Sequence, residues 1–270
     1  ITNTHSIGAV HEGVIRWRVE RGAADASGYW WSLPVVAETW DGYLNDINGF
    51  HVRAEHAAAA LEHAASGPVT EGNVGGGTGM ICHEFKCGIG TASRLVETAD
   101  RRYTVGVLVQ ANYGERELLR IAGVPVGQHI THDKAYASNP PKNADTGSII
   151  IVVATDAPLM PHQLKRLARR ASLGLARNGS VAGNSSGDIF IAFSTANVSA
   201  DQSATGVAVD TLANDSILPL FRATVEGTEE AIINAMIAAR DMTGHEGHVV
   251  KAIDHEELRS VMREYNRLQE

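Results

Sequence analysis

Ser186 sits where a polar stretch turns without a break into an apolar one. From Arg177 to Asn197 the chain reads RNGSVAGNSSGDIFIAFSTAN. Its first part is rich in Gly, Ser and Asn and can fold back sharply on itself. Its second part, Ile189-Phe190-Ile191-Ala192-Phe193, is a short apolar run of β-formers, the pattern of a buried strand. A serine at such an entry has a specific chemistry open to it. The hydroxyl can attack the carbonyl before it, move the acyl group from nitrogen to oxygen, and leave an ester that water cleaves. The new chain then begins with the serine, and its α-amine, with an ordinary pKa of about 7.7–8.0, can act as base for its own hydroxyl. An ST-turn leading into a strand explains the same residues, so the local pattern leaves both readings open. Asn143, just before a second apolar run, is a candidate side-chain donor to an oxyanion, with a surface turn residue as its other reading.

The remaining reactive side chains form no recognisable set. There are twelve histidines but no HExxH pattern, and His56, His63, His129, His132, His245 and His248 read as solvated helix or loop residues. The two cysteines, Cys82 and Cys87, match neither a disulfide framework nor a zinc spacing and read as packing residues. No metal and no other cofactor is expected. A net charge of −8 and a pI near 5.8 argue against nucleic-acid or anionic-membrane partners. No apolar run approaches the roughly 20 residues needed to span a bilayer. At 270 residues, 44% hydrophobic and 20% charged, the chain is long enough for a large globular core.

These residues must be positioned by a mixture of strands and helices. Strands are predicted at Thr104–Asn112, Ser148–Thr155 and Ile189–Thr195, and helices at Arg53–Ala65, Pro161–Arg177, Ile217–Arg240 and Asp254–Leu268. Gly8–Arg18 reads as mixed helix and loop. Trp30, Trp31 and Trp40 read as core. Lys165, Arg166, Arg169 and Arg170 read as the solvated face of their helix. Gly123–Gly147 is a long irregular loop. The stretch GNVGGGTG after Glu71 has five glycines in eight positions, but it lacks the Lys-Ser/Thr of a phosphate loop and is not GxGxxG. The pattern is that of a layered α/β or α+β domain.

The words ITNTHSIG (Ile1–Gly8), DGYLNDING (Asp41–Gly49), EGNVGGGTGM (Glu71–Met80), VATDAPLMPHQ (Val153–Gln163) and SGDIFIAFSTAN (Ser186–Asn197) together resemble one family. It is that of the L-aminopeptidase/D-amidase-esterases (DmpA-like) and β-peptidyl aminopeptidases, made as one precursor that cuts itself before an internal serine. The similarity runs from Ile1 to about Arg240. It implies a four-layer αββα sandwich and one self-processing domain over 1–270, split into 1–185 and 186–270. It also implies hydrolysis of amides or short peptides with a free amine through an acyl-enzyme, in a homotetramer of processed protomers. The family's cleavage serine falls on Ser186. The residue before it resembles Gly or Asn in relatives and is Ser185 here, so cleavage before Ser185 is a second register; the Gly-Asp that follows favours Ser186. Thr224-Val225-Glu226 matches the family's hydroxyl-x-glutamate pair, which steers the nucleophile's amine and hydroxyl. Glu71 matches the carboxylate that recognises the substrate's amine, with a turn cap as its bland reading. His83 stands near the place of an aromatic hydroxyl in relatives. Family members carry a further segment before Ile1, and cytoplasmic or periplasmic location is not set by this N-terminus. Two other readings stand beside the main one: a self-processing acyltransferase of the arginine-pathway type, whose nucleophile is threonine, and a non-catalytic assembly subunit if Ser185 blocks processing. The pattern does not separate α- from β-amino-acid or L from D substrates.

Overall fold

The computed structural model describes residues 1–22, 31–98, 101–136, 147–198 and 206–268. In chain order the elements are β1 (Thr2–Asn3), α1 (Ile7–Arg21), β2 (Glu38–Thr39), α2 (Ala54–Glu62), β3 (Ile81–Cys82) and β4 (Phe85–Lys86). They are followed by β5 (Ile89–Glu97), β6 (Arg102–Asn112), α3 (Val126–His129), β7 (Ser148–Thr155), α4 (Pro161–Arg177) and β8 (Ile189–Ser194). The chain continues with α5 (Leu218–Ile237), β9 (Met242–Thr243), β10 (Val249–Val250) and α6 (His255–Glu264).

One sheet in the order β5-β6-β7-β8 is the spine. Its first two pairings are antiparallel and the last, β7 with β8, is parallel, which requires a crossover that α4 supplies. On β6, Val105, Val107, Val109 and Ala111 alternate as buried residues, and Gly227 of α5 lies directly over Val107. That face is covered by α4 and α5. The other face carries Gln110, whose Nε2 donates to Thr2 O at 3.0 Å and Thr39 Oγ1 at 2.7 Å. It also carries Asn112, which donates to Trp40 O at 2.8 Å. Beyond β1 and β2 come α1 and α2, packed on each other. The layers are therefore helix, main sheet, short strand pairs, helix: the four-layer αββα arrangement. The core on the helix side contains Ile149, Ile151, Val153, Leu167, Leu220, Ile232 and Met236, each contributing about 1.5–3 kcal/mol by burial.

Several expectations are corrected. α1 is one continuous helix; its only buried residue is Gly13, which meets Ala54 and Ala57 of α2, so no apolar stripe marked it. β5 mixes polar and apolar residues without a sustained alternation and is made a strand by its antiparallel register with β6. Trp31 and Trp40 are 73% and 47% exposed; Trp31 opens the stretch 31–37, which has no regular secondary structure and buries only Ala37, and Trp30 lies outside the described residues. Arg166 and Arg170 are not a purely solvated face, since their guanidinium carbons lie 5.1 and 3.4 Å from the ring centroid of Phe221.

A buried arginine ties the loops after β4 and β6. Arg116 is fully buried and stacks on Phe85, 3.2 Å from the ring centroid. It donates to the carbonyls of His83 (2.9 Å), Ile130 (3.0 Å), His132 (2.9 Å) and Glu84 (2.9 Å). Burial pushes its pKa down to about 10. Among the described residues no helix is long and apolar enough to cross a membrane.

Candidate active site

Ser186 lies at the end of the sheet where β7 and β8 begin. Parallel pairing sets Ile189 opposite Ile150, and just ahead of it Gly187 N donates to Ser148 Oγ at 3.2 Å. Ser186 N donates to Gly183 O at 2.9 Å, closing a turn over Asn184 and Ser185. Across Gly187, Ser186 Oγ donates to Asp188 Oδ1 at 2.6 Å, the length of a charge-assisted O–H···O⁻ bond. The pair lines a cavity of about 470 Å³ whose walls are Leu175 and Ala176 of α4, Val181 and Phe190. Ser186 and Asp188 are half-buried, whereas Ser185 is exposed. Sequence reasoning missed Asp188. The available signal was a carboxylate two residues beyond the serine with only glycine between them.

The other candidates are not gathered here. Thr224 is fully buried and its Oγ1 donates to Leu220 O of its own helix at 2.9 Å. Residues two apart on a helix point about 200° from each other, so hydroxyl-x-glutamate presents both groups to one site in a strand but not in α5. Glu226 shares a face with Glu230, which pairs with Arg94 of β5, while the backbone at Val225 lies on Gly174 of α4. Among the described residues Thr224 Oγ1 makes no hydrogen bond other than that to Leu220 O, and the relay expected of Thr224 and Glu226 stays a proposal. Glu71 is also displaced: its Oε1 accepts from Thr91 N at 2.7 Å and Thr91 Oγ1 at 2.6 Å. Thr91 is on β5, and β5 and β8 are opposite edges of the sheet, three spacings of ~4.8 Å or roughly 14 Å apart. Asn143 lies outside the described residues.

The glycine loop after Glu71 is built against β5, not against Ser186. Gly72 has φ +80° and pairs with Ile89; a Cβ there would come within 2.4 Å of Ala238 O, so only glycine fits. The loop's Met80 carbonyl accepts from the buried Lys86 Nζ at 2.8 Å, an ammonium whose pKa burial lowers to about 8. Together with Val10, Val14, Leu44, Leu61 and Asp41, the loop walls a second cavity of about 530 Å³. That space is larger than Ser186's, and no serine or cysteine lines it. Burial raises the Asp41 carboxyl against the lowering pull of its bonds from Asn3 and Asn45. His83 is buried within the Arg116 tie, its Nδ1 2.9 Å from Glu115 O. His56 and His63 are exposed, and Cys82 and Cys87 are free and buried. No group of His, Cys, Asp or Glu among the described residues could hold a metal.

A profile of peptidase family S58 matches residues 1–250. The chain belongs to this family. Similar proteins include the β-peptidyl aminopeptidase BapA of Sphingosinicella microcystinivorans, 51% identical over 99% of this chain and 69% of the relative. The BapA of Sphingosinicella xenopeptidilytica is 46% identical over 97% and 67%. Among solved structures, the L-aminopeptidase D-Ala-esterase/amidase from Ochrobactrum anthropi, described as a variant of the Ntn hydrolase fold, superposes with a TM-score of 0.91. It is 53% identical, covering 99% of this chain and 73% of that one. A Burkholderia sp. β-aminopeptidase gives 0.84 at 49% identity, covering 97% and 72%. This S58 chain is thus a hydrolase of the peptidase class, and its αββα sandwich is of the Ntn type.

Within S58 the placement of Glu71 gives a direct expectation. Glu71→Gln should lower kcat/KM for a free-amine amide and for its N-acetylated counterpart by the same factor, because the side chain anchors the loop to Thr91. Its stability cost should be about 1 kcal/mol, the difference between a charged and a neutral acceptor. A loss of one to two powers of ten confined to the free-amine substrate would instead put the ammonium against Glu71.

Proposed function

We propose that this S58 peptidase hydrolyses amides or short peptides carrying a free amino group, through an acyl-enzyme on Ser186, after cutting its own chain between Ser185 and Ser186. The observation that supports this most is the Ser186–Asp188 hydrogen bond at the loop-to-strand entry, in a chain whose relatives are aminopeptidases. Ser186 is preferred over Ser185 because its hydroxyl is the one held on a carboxylate. Once amino-terminal, Ser186 attacks the substrate carbonyl while its own amine takes the hydroxyl proton. Asn143 is the proposed donor to the oxyanion. Water then attacks the ester and releases the acyl group. The same reading includes a homotetramer of processed protomers. The acyltransferase alternative has no observation in its favour, since the nucleophile here is serine.

Intact-mass measurement of purified protein tests the cut. Two chains corresponding to 1–185 and 186–270 are expected. A single uncut chain that hydrolyses aminoacyl amides would overturn self-cleavage, and a boundary one residue earlier would move the nucleophile to Ser185.

A further inference from the structure

The larger cavity, between the glycine loop and the α1–α2 pair, shares no lining residue with the cavity beside Ser186. Val10 and Val14 of α1, Leu61 of α2, Leu44 and Met242 make most of its wall apolar. One side is different. The parallel pairing of β1 with β2 sets Asn3 opposite Thr39, which brings Asn3 against Asp41, two residues further on. Both line the cavity, and they are only 6% and 7% exposed. Asn3 Nδ2 donates to Asp41 Oδ1 at 3.1 Å, and Asn45 Nδ2 donates to Asp41 Oδ2 at 2.9 Å. Each carboxylate oxygen therefore still has acceptor capacity to spare.

The unmet demand at this wall is for donors. Asn3 Oδ1 is buried and has no hydrogen-bond partner among the described residues. Gln110 Oε1, a second buried acceptor without a partner, lies beside Gly76 of the same wall, where a Cβ would come within 2.1 Å of it. Buried acceptors are normally paired, and leaving one unpaired costs stability. Neither lysine nor arginine lines the cavity. Burial accordingly raises the Asp41 carboxyl in spite of its two amide donors, and His5 adds only the smallest of the lowering pulls.

We propose that this cavity is a binding site for a primary amine with an apolar body, the ammonium resting on Asp41 and Asn3 Oδ1. An ammonium carries three donors and no acceptor, so it answers a wall made of a carboxylate and an orphaned amide oxygen. An alcohol would bring one donor and leave the charge unmatched, and an anion would meet Asp41 head on. The hydrocarbon then lies among Val10, Val14, Leu44 and Leu61. A volume of about 530 Å³ falls in the range of roughly 300–1,000 Å³ usual for small-molecule pockets, which are likewise mostly apolar with a few polar groups that fix orientation. The site does not rest on the reading of Ser186 as nucleophile.

Calorimetric titration of the full chain with n-hexylamine, 1-hexanol and hexanoate at neutral pH tests the proposal. Wild type should bind one n-hexylamine per chain, with 1-hexanol weaker by about tenfold or more, the share of a charge-assisted hydrogen bond, and hexanoate weaker still. Asp41→Asn should weaken n-hexylamine by about tenfold or more and leave 1-hexanol nearly unchanged. Ala60→Trp, at an exposed position of α2 on the cavity wall, should fill the space and remove both. Ser186→Ala should bind n-hexylamine as wild type does, which separates this site from the proposed catalytic one. Thermal melts report whether each variant folds, and if Asp41→Asn does not, Ala60→Trp still decides. Absence of binding in wild type, equal affinity for n-hexylamine and 1-hexanol, or a folded Asp41→Asn with wild-type affinity would each overturn the proposal. So would binding that survives Ala60→Trp or is lost in Ser186→Ala, since the amine would then sit elsewhere.

Discussion

Ser186→Ala is expected to abolish both chain cleavage and amide hydrolysis, because one hydroxyl performs both attacks. Loss of a serine nucleophile in a hydrolase costs on the order of 10⁴-fold or more in kcat, which here means no turnover above background. Stability should barely change. The half-buried hydroxyl makes one hydrogen bond, to Asp188, and such a bond contributes about 1 kcal/mol net, or a few degrees in Tm. The variant is thus a folded, uncut chain, which separates loss of chemistry from loss of structure. Intact mass, hydrolysis of an aminoacyl amide and a thermal melt check all three statements. Full hydrolytic activity in Ser186→Ala would sink the assignment. Ser185→Ala should leave cleavage in place; if that change alone stopped it, the register would shift by one residue.

The second large effect concerns stability. Arg116→Met should cost roughly 4 kcal/mol or more, a large share of the 5–15 kcal/mol that holds a typical domain together. The substitution keeps an apolar stem against Phe85 but removes the donors to the carbonyls of His83, Glu84, Ile130 and His132. Each carbonyl left buried without a partner costs about 1–3 kcal/mol, and partial relaxation keeps the total below the sum. Arg116→Lys should recover less than half of the loss, because an ammonium is a compact point charge and cannot replace a planar fork reaching several segments at once. Urea unfolding of the three proteins gives the comparison. A midpoint for Arg116→Met within 1 kcal/mol of wild type would mean that water satisfies those carbonyls and that the tie is not structural.

What the sequence revealed and what it hid follow from range. The strand at Ser148–Thr155 and the helix at Pro161–Arg177 match residue for residue, since apolar runs, helical spacing and Pro161 at the first turn are local signals. The loop-to-strand entry at Ser186 was legible for the same reason. β5 was not, because its strand character comes from pairing with β6 and its own residues mix polar and apolar without a sustained alternation. With β5 unseen, the strand order was unknown, so Glu71 could not be placed across the sheet from Ser186. Thr224 and Glu226 were legible only through the resemblance: Thr-x-Glu within a helix is a commonplace local pattern, and α5 itself gives it no distinguishing mark. Arg116 joins groups separated by 14 to 33 residues in sequence, and no local pattern marks such a tie. Asp188 was adjacent and visible, but its bond to Ser186 depends on local side-chain geometry that composition alone does not specify.

The proposed cut divides a core that does not divide. Ile149, Ile151, Val153, Leu167 and Leu175 come from one side of it and Leu220, Ala231, Ile232 and Met236 from the other, all in one cluster, and β7 and β8 are paired from Ile150 to Thr155 along their length. A severed chain therefore stays together while folded, yet becomes two molecules on unfolding. Its stability then depends on concentration: every tenfold dilution lowers it by about 1.4 kcal/mol, whereas the uncut precursor is indifferent to dilution. Refolding likewise changes from a unimolecular to a bimolecular event. The proposed cut, made after folding, would act as a ratchet, in which the architecture is assembled once at the high effective concentration of a single chain and dilute fragments cannot readily regain it.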